Sequence, residues 1–262
     1  MRLKPDGPIA LNRSNGITRG LVGAWPLNEH GALIARDYSG FRAHGVNNGA
    51  PSVIRPAGRA VSFATAGQWI SVPDRPWLKP TAAITICAWF PFLSAGSDGA
   101  ICGKVTTAFS YSIHVNGGNQ SFDFQYNVAG STIVLNDRPS AAGGLDKYKN
   151  TDVFMCAVYD GAQARIYING ILSPNANAAS GSLAVSTDPF GIGARGGDGS
   201  NQCNFPIYQI LLFNRAVTSQ EIKSLNASPS QLYQSGPRKG RAPAVAAPPS
   251  PNSAKCWPWV SL

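Results

Sequence analysis

The chain has 262 residues, enough for one large sandwich or two small domains, and 44% of them are apolar, so a core is available. Only 13% are charged, while glycine and proline contribute 28 and 20 residues, which excludes a salt-bridged helical protein and favours strands joined by turns. The formal charge of +9 sits mainly at the ends, +3 in residues 1–20 and +4 in 236–262; the nearly neutral middle has no broad phosphate-binding face, and no specific nucleic-acid partner is expected.

Residues 1–19 are turn-rich and read as an extended N-terminal arm. Residues 20–27 form a short first strand, with Pro26 tolerated at its end. Residues 28–58 are loop-like, and in Asp37-Tyr-Ser-Gly40 the aspartate side chain can bond to the backbone of its own turn. Strands are predicted over 60–64, 68–72, 83–92 and 101–104. Tyr111, Ile113 and Val115 then share a face before Asn116-Gly117, and Phe122, Phe124 and Tyr126 share a face after it. A strand over 132–135 leads to residues 151–172, where Asp160-Gly161 and Asn169-Gly170 each end an apolar run. Such pairs tolerate positive φ at both centres of a two-residue hairpin turn. Between them Ala164, Ile166 and Ile168 face one way and Arg165 and Tyr167 the other, as in an antiparallel meander with one buried face. Strands over 189–194 and 205–213 bring the set to roughly a dozen, the spacing of a sandwich or barrel.

One helix is expected. Thr218 and Glu221 form a capping box, and Ile222 and Leu225 supply its apolar face; so short a helix must dock on the sandwich to be stable. The organisation is therefore an arm (1–19), one domain (20–235) and a proline-rich basic tail (236–262). In that tail Arg238, Lys239, Arg241, Trp257 and Trp259 are candidate assembly anchors, since indoles prefer burial against a partner. The alternatives are a solubilising end and a terminus that tucks back on its own domain.

No apolar stretch precedes Leu21, so no secretory leader is expected, and no run reaches the roughly 18–20 apolar residues that span a bilayer, so no membrane partner is expected. The five cysteines are odd in number and share no metal-ligand spacing. Cys87 and Cys156 read as small buried hydrophobes, and Cys203 and Cys256 as the two free to pair. Synthesis in a reducing compartment fits this usage.

Three stretches resemble the laminin-G-like, concanavalin-A-like jelly rolls. They are Gly20-Leu-Val-Gly-Ala-Trp-Pro-Leu-Asn-Glu29 with Asp37-Tyr-Ser-Gly40 and His44-Gly45; Gly58-Arg-Ala-Val-Ser-Phe63 running on through Trp69 to Trp89; and Tyr159 to Gly170 followed by Leu212 to Ile222. The resemblance implies an all-β, two-sheet antiparallel jelly-roll sandwich with one short C-terminal helix, its first strand beside its last. It also implies carbohydrate, protein or lipid-surface binding, in some members through calcium. The chain departs from the family where a glycine and an acidic pair usually precede the last strand; here stand Pro206, Tyr208 and Gln209.

Related glycan-cleaving enzymes carry two closely spaced glutamates on one strand, but the only glutamates here are Glu29 and Glu221. Glu29 and Asp37 remain as an approachable pair. His30, His44 and His114 show no triad spacing, and Asp198 in its glycine-rich loop is a weak calcium candidate, so no cofactor is expected. Sugar binding needs exposed aromatic faces, for which Trp69, Trp77, Tyr111, Tyr126, Tyr167 and Tyr208 are candidates, with Trp25 and Trp89 assigned to the core. Short chains of this family with a Gly-Leu-Val-Gly-x-Trp start and a basic tail resemble products of bacteriophage structural genes. That resemblance implies a non-enzymatic virion surface protein, a capsid decoration or head or tail appendage. Its partners would be capsid or tail proteins and cell-surface glycans. The alternative is a free carbohydrate-binding, lectin-like module, and after it a glycoside hydrolase.

Overall fold

Alternating apolar residues build two antiparallel sheets whose inner faces close on one another. The structure, a computed structural model, describes residues 9–94, 97–105, 108–137 and 144–235. In chain order the strands are β1 (Ile9–Leu11), β2 (Leu21–Trp25), β3 (Ile34–Ala35), β4 (Gly45–Asn48), β5 (Ser52–Arg55), β6 (Gly58–Ser62) and β7 (Trp69–Val72). The longer strands follow: β8 (Ile84–Phe92), β9 (Gly99–Val105), β10 (Phe109–Asn116), β11 (Ser121–Val128), β12 (Ser131–Asp137), β13 (Thr151–Tyr159), β14 (Gln163–Ile168) and β15 (Ile171–Ala178). After them come β16 (Phe190–Ile192), β17 (Pro206–Ile207), β18 (Gln209–Phe213) and β19 (Tyr233–Ser235). The one α-helix among the described residues, α1 (Ser219–Ala227), lies between the last two.

Eight strands join in the order β12-β11-β10-β9-β16-β7-β4-β3, and six in the order β15-β14-β13-β8-β18-β2. All pairings between these strands are antiparallel, and β2 lies beside β18, with Trp25 opposite Ile210. The expected sandwich is thus observed, together with its helix. Between the sheets Ile113, Val115, Phe122 and Phe124 of one meet Ile86, Phe90, Ile166 and Ile168 of the other. Trp25 stacks on Phe190 with ring centroids 5.3 Å apart. Each such fully buried large side chain contributes about 1.5–3 kcal/mol.

The centre of the six-stranded sheet is buried on both faces, while its edge strand β15 is largely exposed. All nine residues of β8 are buried, because a second apolar layer covers the outer side. There Trp89 stacks on Phe154 at 4.2 Å, and Ile222 and Leu225 of α1 pack in the same cluster as Ile9, Ile17 and Tyr233. The capping box forms as expected: Thr218 Oγ1 accepts from the Glu221 amide and Glu221 Oε2 accepts from the Thr218 amide at 2.8 Å. Arg215 closes a bidentate pair with Glu221 at 2.7 and 2.9 Å.

Several details differ from the sequence reading. Residues 9–19, assigned to the arm, pack on the sandwich through the β1–β19 pairing and buried Ile17. The loop-like 28–58 stretch contains β3, β4 and β5, strands too short to show alternation. The Asp160 connection is three residues long, its carboxylate accepting from the Ala162 and Gln163 amides, whereas Asn169 and Gly170 both have positive φ, as the two-residue turn requires. Cys203 is not free to pair but buried among Phe63 and Phe205 of the inter-sheet core. No helix of the described residues is long and apolar enough to cross a membrane. Cys256 and the anchor candidates Arg238, Lys239, Arg241, Trp257 and Trp259 lie outside the described residues.

Candidate functional site

Strand alternation that turns Ile113, Val115, Phe122 and Phe124 into the core turns Ser112, His114, Asn116, Asp123 and Gln125 to the outer face of the eight-stranded sheet. That face carries a cleft of about 200 Å³ lined by Asp98, His114, Asn116, Asp123, Gln125 and Asn201. His114 and Asp123 form its floor, both almost fully buried and directly opposite each other across β10 and β11.

One wall is the glycine-rich loop after β16. It lies flat on the sheet because the strands beneath lack side chains at two points. A Cβ on Gly103 would come within 2.6 Å of the Arg195 carbonyl, and one on Gly191 would collide with the Gly196 carbonyl. The loop is tied across itself by the Arg195 amide to the Ser200 carbonyl at 2.8 Å, and to β7 by Trp69 Nε1 donating to the Gly197 carbonyl at 3.0 Å. Asn201, held at a positive φ that asparagine tolerates, then reaches His114.

The polar groups of the floor are already ordered. Asp123 accepts from Ser121 Oγ at 2.6 Å and Asn136 Nδ2 at 2.8 Å on one oxygen, and from Asn116 Nδ2 at 3.0 Å on the other. Burial, with Arg195 nearby, outweighs the attraction of Asp123 and Asp98 and lowers the His114 pKa to about 4, so the ring is neutral at pH 7. With Asn201 Nδ2 donating to Nδ1 at 3.2 Å, the single ring proton sits on Nε2 and donates to Ser112 Oγ at 2.7 Å. Ser112 and His114 are spaced like a nucleophile and its base. However, the proton faces the wrong way for activation, and Ser112 is wholly buried. Asp98 reaches across to accept from the Gly117 amide at 3.0 Å, and the Gln125 side-chain amide has no hydrogen-bond partner among the described residues. The cleft therefore offers fixed acceptors and donors around an open volume, the chemistry that suits a sugar's hydroxyls.

The expected aromatic platforms are mostly elsewhere. Tyr111 and Tyr126 share the faces predicted for them, but those faces point inward: Tyr111 Oη donates to the Leu78 carbonyl at 2.8 Å, and Tyr126 stacks on Phe124 at 4.9 Å. Tyr208 is buried with its hydroxyl on Asp152 at 2.8 Å, and Tyr167 is buried in the second apolar layer. As these four present no ring face to solvent, the platform assignment is corrected for each. Trp69 lies beneath the glycine loop, half-buried. Trp77 is half-buried at the sandwich edge and touches exposed Phe41.

The residual carboxylate pair is structural. Asp37 accepts from the Ala24, Ser39 and Ala43 amides and Ser39 Oγ, and Glu29 accepts from the Arg36 amide at 2.9 Å. Asp198 accepts from the Ser200 amide, and among the described residues no group of three or more His, Cys, Asp or Glu side chains could hold a metal ion. The cleft residues themselves escaped the sequence reading. Asp98 and Asp123 belong to no motif, although Asp123 alternates with Phe122 and Phe124 and so falls on the outer face. Asn201 carried no signal that it would reach β10.

Two antiparallel sheets packed face to face, with an ordered polar cleft on one of them, define a β-sandwich architecture. The sequence matches the Concanavalin A-like lectin/glucanases superfamily over residues 64–223, and the chain belongs to that family. No curated protein matches it. Among solved structures it is similar to the binding domain of Paraclostridial Mosquitocidal Protein 1 (TM-score 0.64, 16% identity, covering 80% of this chain and 52% of that one). It is also similar to the binding domain of Botulinum Neurotoxin DC in complex with SialylT (TM-score 0.63, 16%, 82% and 52%). A third similar structure is domain 4 of AbnA, a GH43 extracellular arabinanase from Geobacillus stearothermophilus, in complex with arabinotriose (TM-score 0.59, 13%, 79% and 98%). The chain spans about half the length of the two toxin domains. At these identities the likeness establishes the fold.

These relatives correct the expectation of a virion surface protein. The family is one of lectins and glucanases, and the similar structures named above are two toxin binding domains and a domain of an arabinanase, none of them a capsid or tail protein. The phage resemblance rested on the Gly-Leu-Val-Gly-x-Trp start, whose residues build β2 of a sandwich common to many users, and on a basic tail that lies outside the described residues.

Proposed function

We propose that this chain is a carbohydrate-binding, lectin-like module without catalytic turnover, and that the cleft over His114 is its saccharide site. The observation that carries the reading is the cleft's lining. Asp98, Asn116, Gln125 and Asn201 surround an open volume of about 200 Å³ whose floor is locked by hydrogen bonds, so little ordering cost remains at binding. Membership of a lectin and glucanase superfamily and the arabinotriose bound by a similar domain point the same way. A non-catalytic role is supported by Asp123, whose carboxylate is occupied by three donors, and by Ser112, which is buried.

The test is a glycan array followed by calorimetry on the hits, with Asp98→Ala and Gln125→Ala as rim variants that leave the floor intact. Each is expected to weaken binding about tenfold, the loss of one or two sugar hydrogen bonds. Reducing ends should not rise above buffer on incubation with the hits. Release that depends on Asp98 or Asp123 would transfer the cleft to a hydrolase, and unchanged affinity in both rim variants would move the saccharide elsewhere.

A further inference from the structure

A second cleft, larger than the one over His114, lies away from this site and shares no residue with it. It has a volume of about 310 Å³ and is formed by residues 11–22, the turn at 39–41 and Asn214, where the β1–β19 ribbon meets the edge strand β2. Among the described residues no aspartate or glutamate lines it. Arg13 and Arg19 do, and neither guanidinium has a hydrogen-bond or ion-pair partner among the described residues. The nearby acids are spent: Asp37 is saturated by backbone amides and Ser39, and Glu221 is held by Arg215. The frame is rigid. Arg215 Nε donates to the Arg19 carbonyl at 2.7 Å, fixing that main chain, and Arg13 lies so close over Gly40 that a Cβ there would collide with Nη2. Beside Arg13 stands Phe41, exposed and backed by Trp77 at a ring-centroid distance of 5.4 Å.

An exposed aromatic ring held against a second ring offers an apolar face of the kind on which a sugar ring packs. Two guanidiniums unpaired among the described residues offer the planar fork that matches a carboxylate or a sulfate. We propose that this cleft is a second saccharide site, selective for sugars carrying an oxyanion, with the ring on Phe41 and the acidic group on Arg13 and Arg19. Its volume falls within the range of small-molecule sites, roughly 300–1,000 Å³.

Calorimetry of the full chain with trigalacturonate, its methyl ester, galactose 6-sulfate and sodium sulfate tests this. At least one acidic sugar is expected to bind roughly tenfold or more tighter than both the methyl ester and sodium sulfate, and to weaken as salt rises and shortens the Debye length. The combined Arg13→Ala and Arg19→Ala variant should lose about tenfold or more with an unchanged melting temperature, while the combined Asp98→Ala and Gln125→Ala variant keeps the binding. Equal binding of the methyl ester, equal binding of sodium sulfate, no binding of either acidic sugar, or loss of binding in the Asp98 and Gln125 variant each overturns the proposal. The ester comparison uses the unaltered protein, so it decides even where a variant fails to fold. A protein whose first cleft proves empty of ligand leaves this outcome untouched.

Discussion

Acidification from pH 6.5 to 4 is expected to cost the fold about 3 kcal/mol through His114. The ring is 4% exposed and faces Asp123, Asp98 and Arg195, and its pKa falls from the ordinary 6.5 to about 4, chiefly because burial penalises the imidazolium. Above pH 6.5 the ring is neutral in both folded and unfolded chains, and stability is flat with respect to it. Between 6.5 and 4 the unfolded chain holds a proton that the folded chain does not, so stability falls as pH falls. Each unit corresponds to about 1.4 kcal/mol, and the gap from 6.5 to about 4 gives about 3 kcal/mol. Below pH 4 both forms are protonated and the loss is complete. Asp74, Asp160 and Glu221, held below their ordinary values largely by lysine or arginine partners that override burial at the two aspartates, lose their contributions only at the acid end of this window or beneath it. The assay is urea unfolding in half-unit steps from about pH 4 to about pH 8, on the protein and on His114→Gln, whose amide keeps a donor toward Ser112. The two stability curves should diverge below pH 6.5, the variant being the flatter. Parallel curves across the window would refute the argument that a neutral, buried ring forms the cleft floor.

Other outcomes follow from single side chains. Ile166→Ala, at a wholly buried position of β14, should lower unfolding stability by about 2–5 kcal/mol in urea melts. Gln209 is wholly buried with neither amide atom partnered among the described residues, so Gln209→Met should raise stability by about 1–3 kcal/mol. Thr218→Ala should cost about 0.5–2 kcal/mol by removing the cap of α1, read as a lower thermal midpoint. Gly103→Ala should cost about 1–3 kcal/mol by driving a methyl group into Ser112 and the Arg195 carbonyl; because it lifts the loop that carries Asn201, it should also weaken saccharide binding.

Much of the sandwich was legible in the chain because its signals are local. The alternation of Ile113 with Val115 and of Ile166 with Ile168, the Asn169-Gly170 turn and the Thr218 capping box each depend on residues a few positions apart, and all recur in the fold. Alternation also states that two sets of residues face opposite ways, but not which side is covered. Tyr111 and Tyr126 fell on the inner set, and the outer side of the six-stranded sheet, open in the simple meander reading, is covered by α1, Tyr233 and their neighbours from distant parts of the chain. The two clefts were decided by tertiary structure alone. Asp98, His114 and Asn201 come from a loop, a strand and a glycine-rich crossing, and Arg13 and Phe41 line one cleft where the β1–β19 ribbon meets the sandwich. A one-dimensional pattern carries periodicity and turn chemistry. The meeting of side chains far apart in the chain depends on register and on the close backbone approach that Gly103 and Gly191 permit, and those exist only once the sheets have formed.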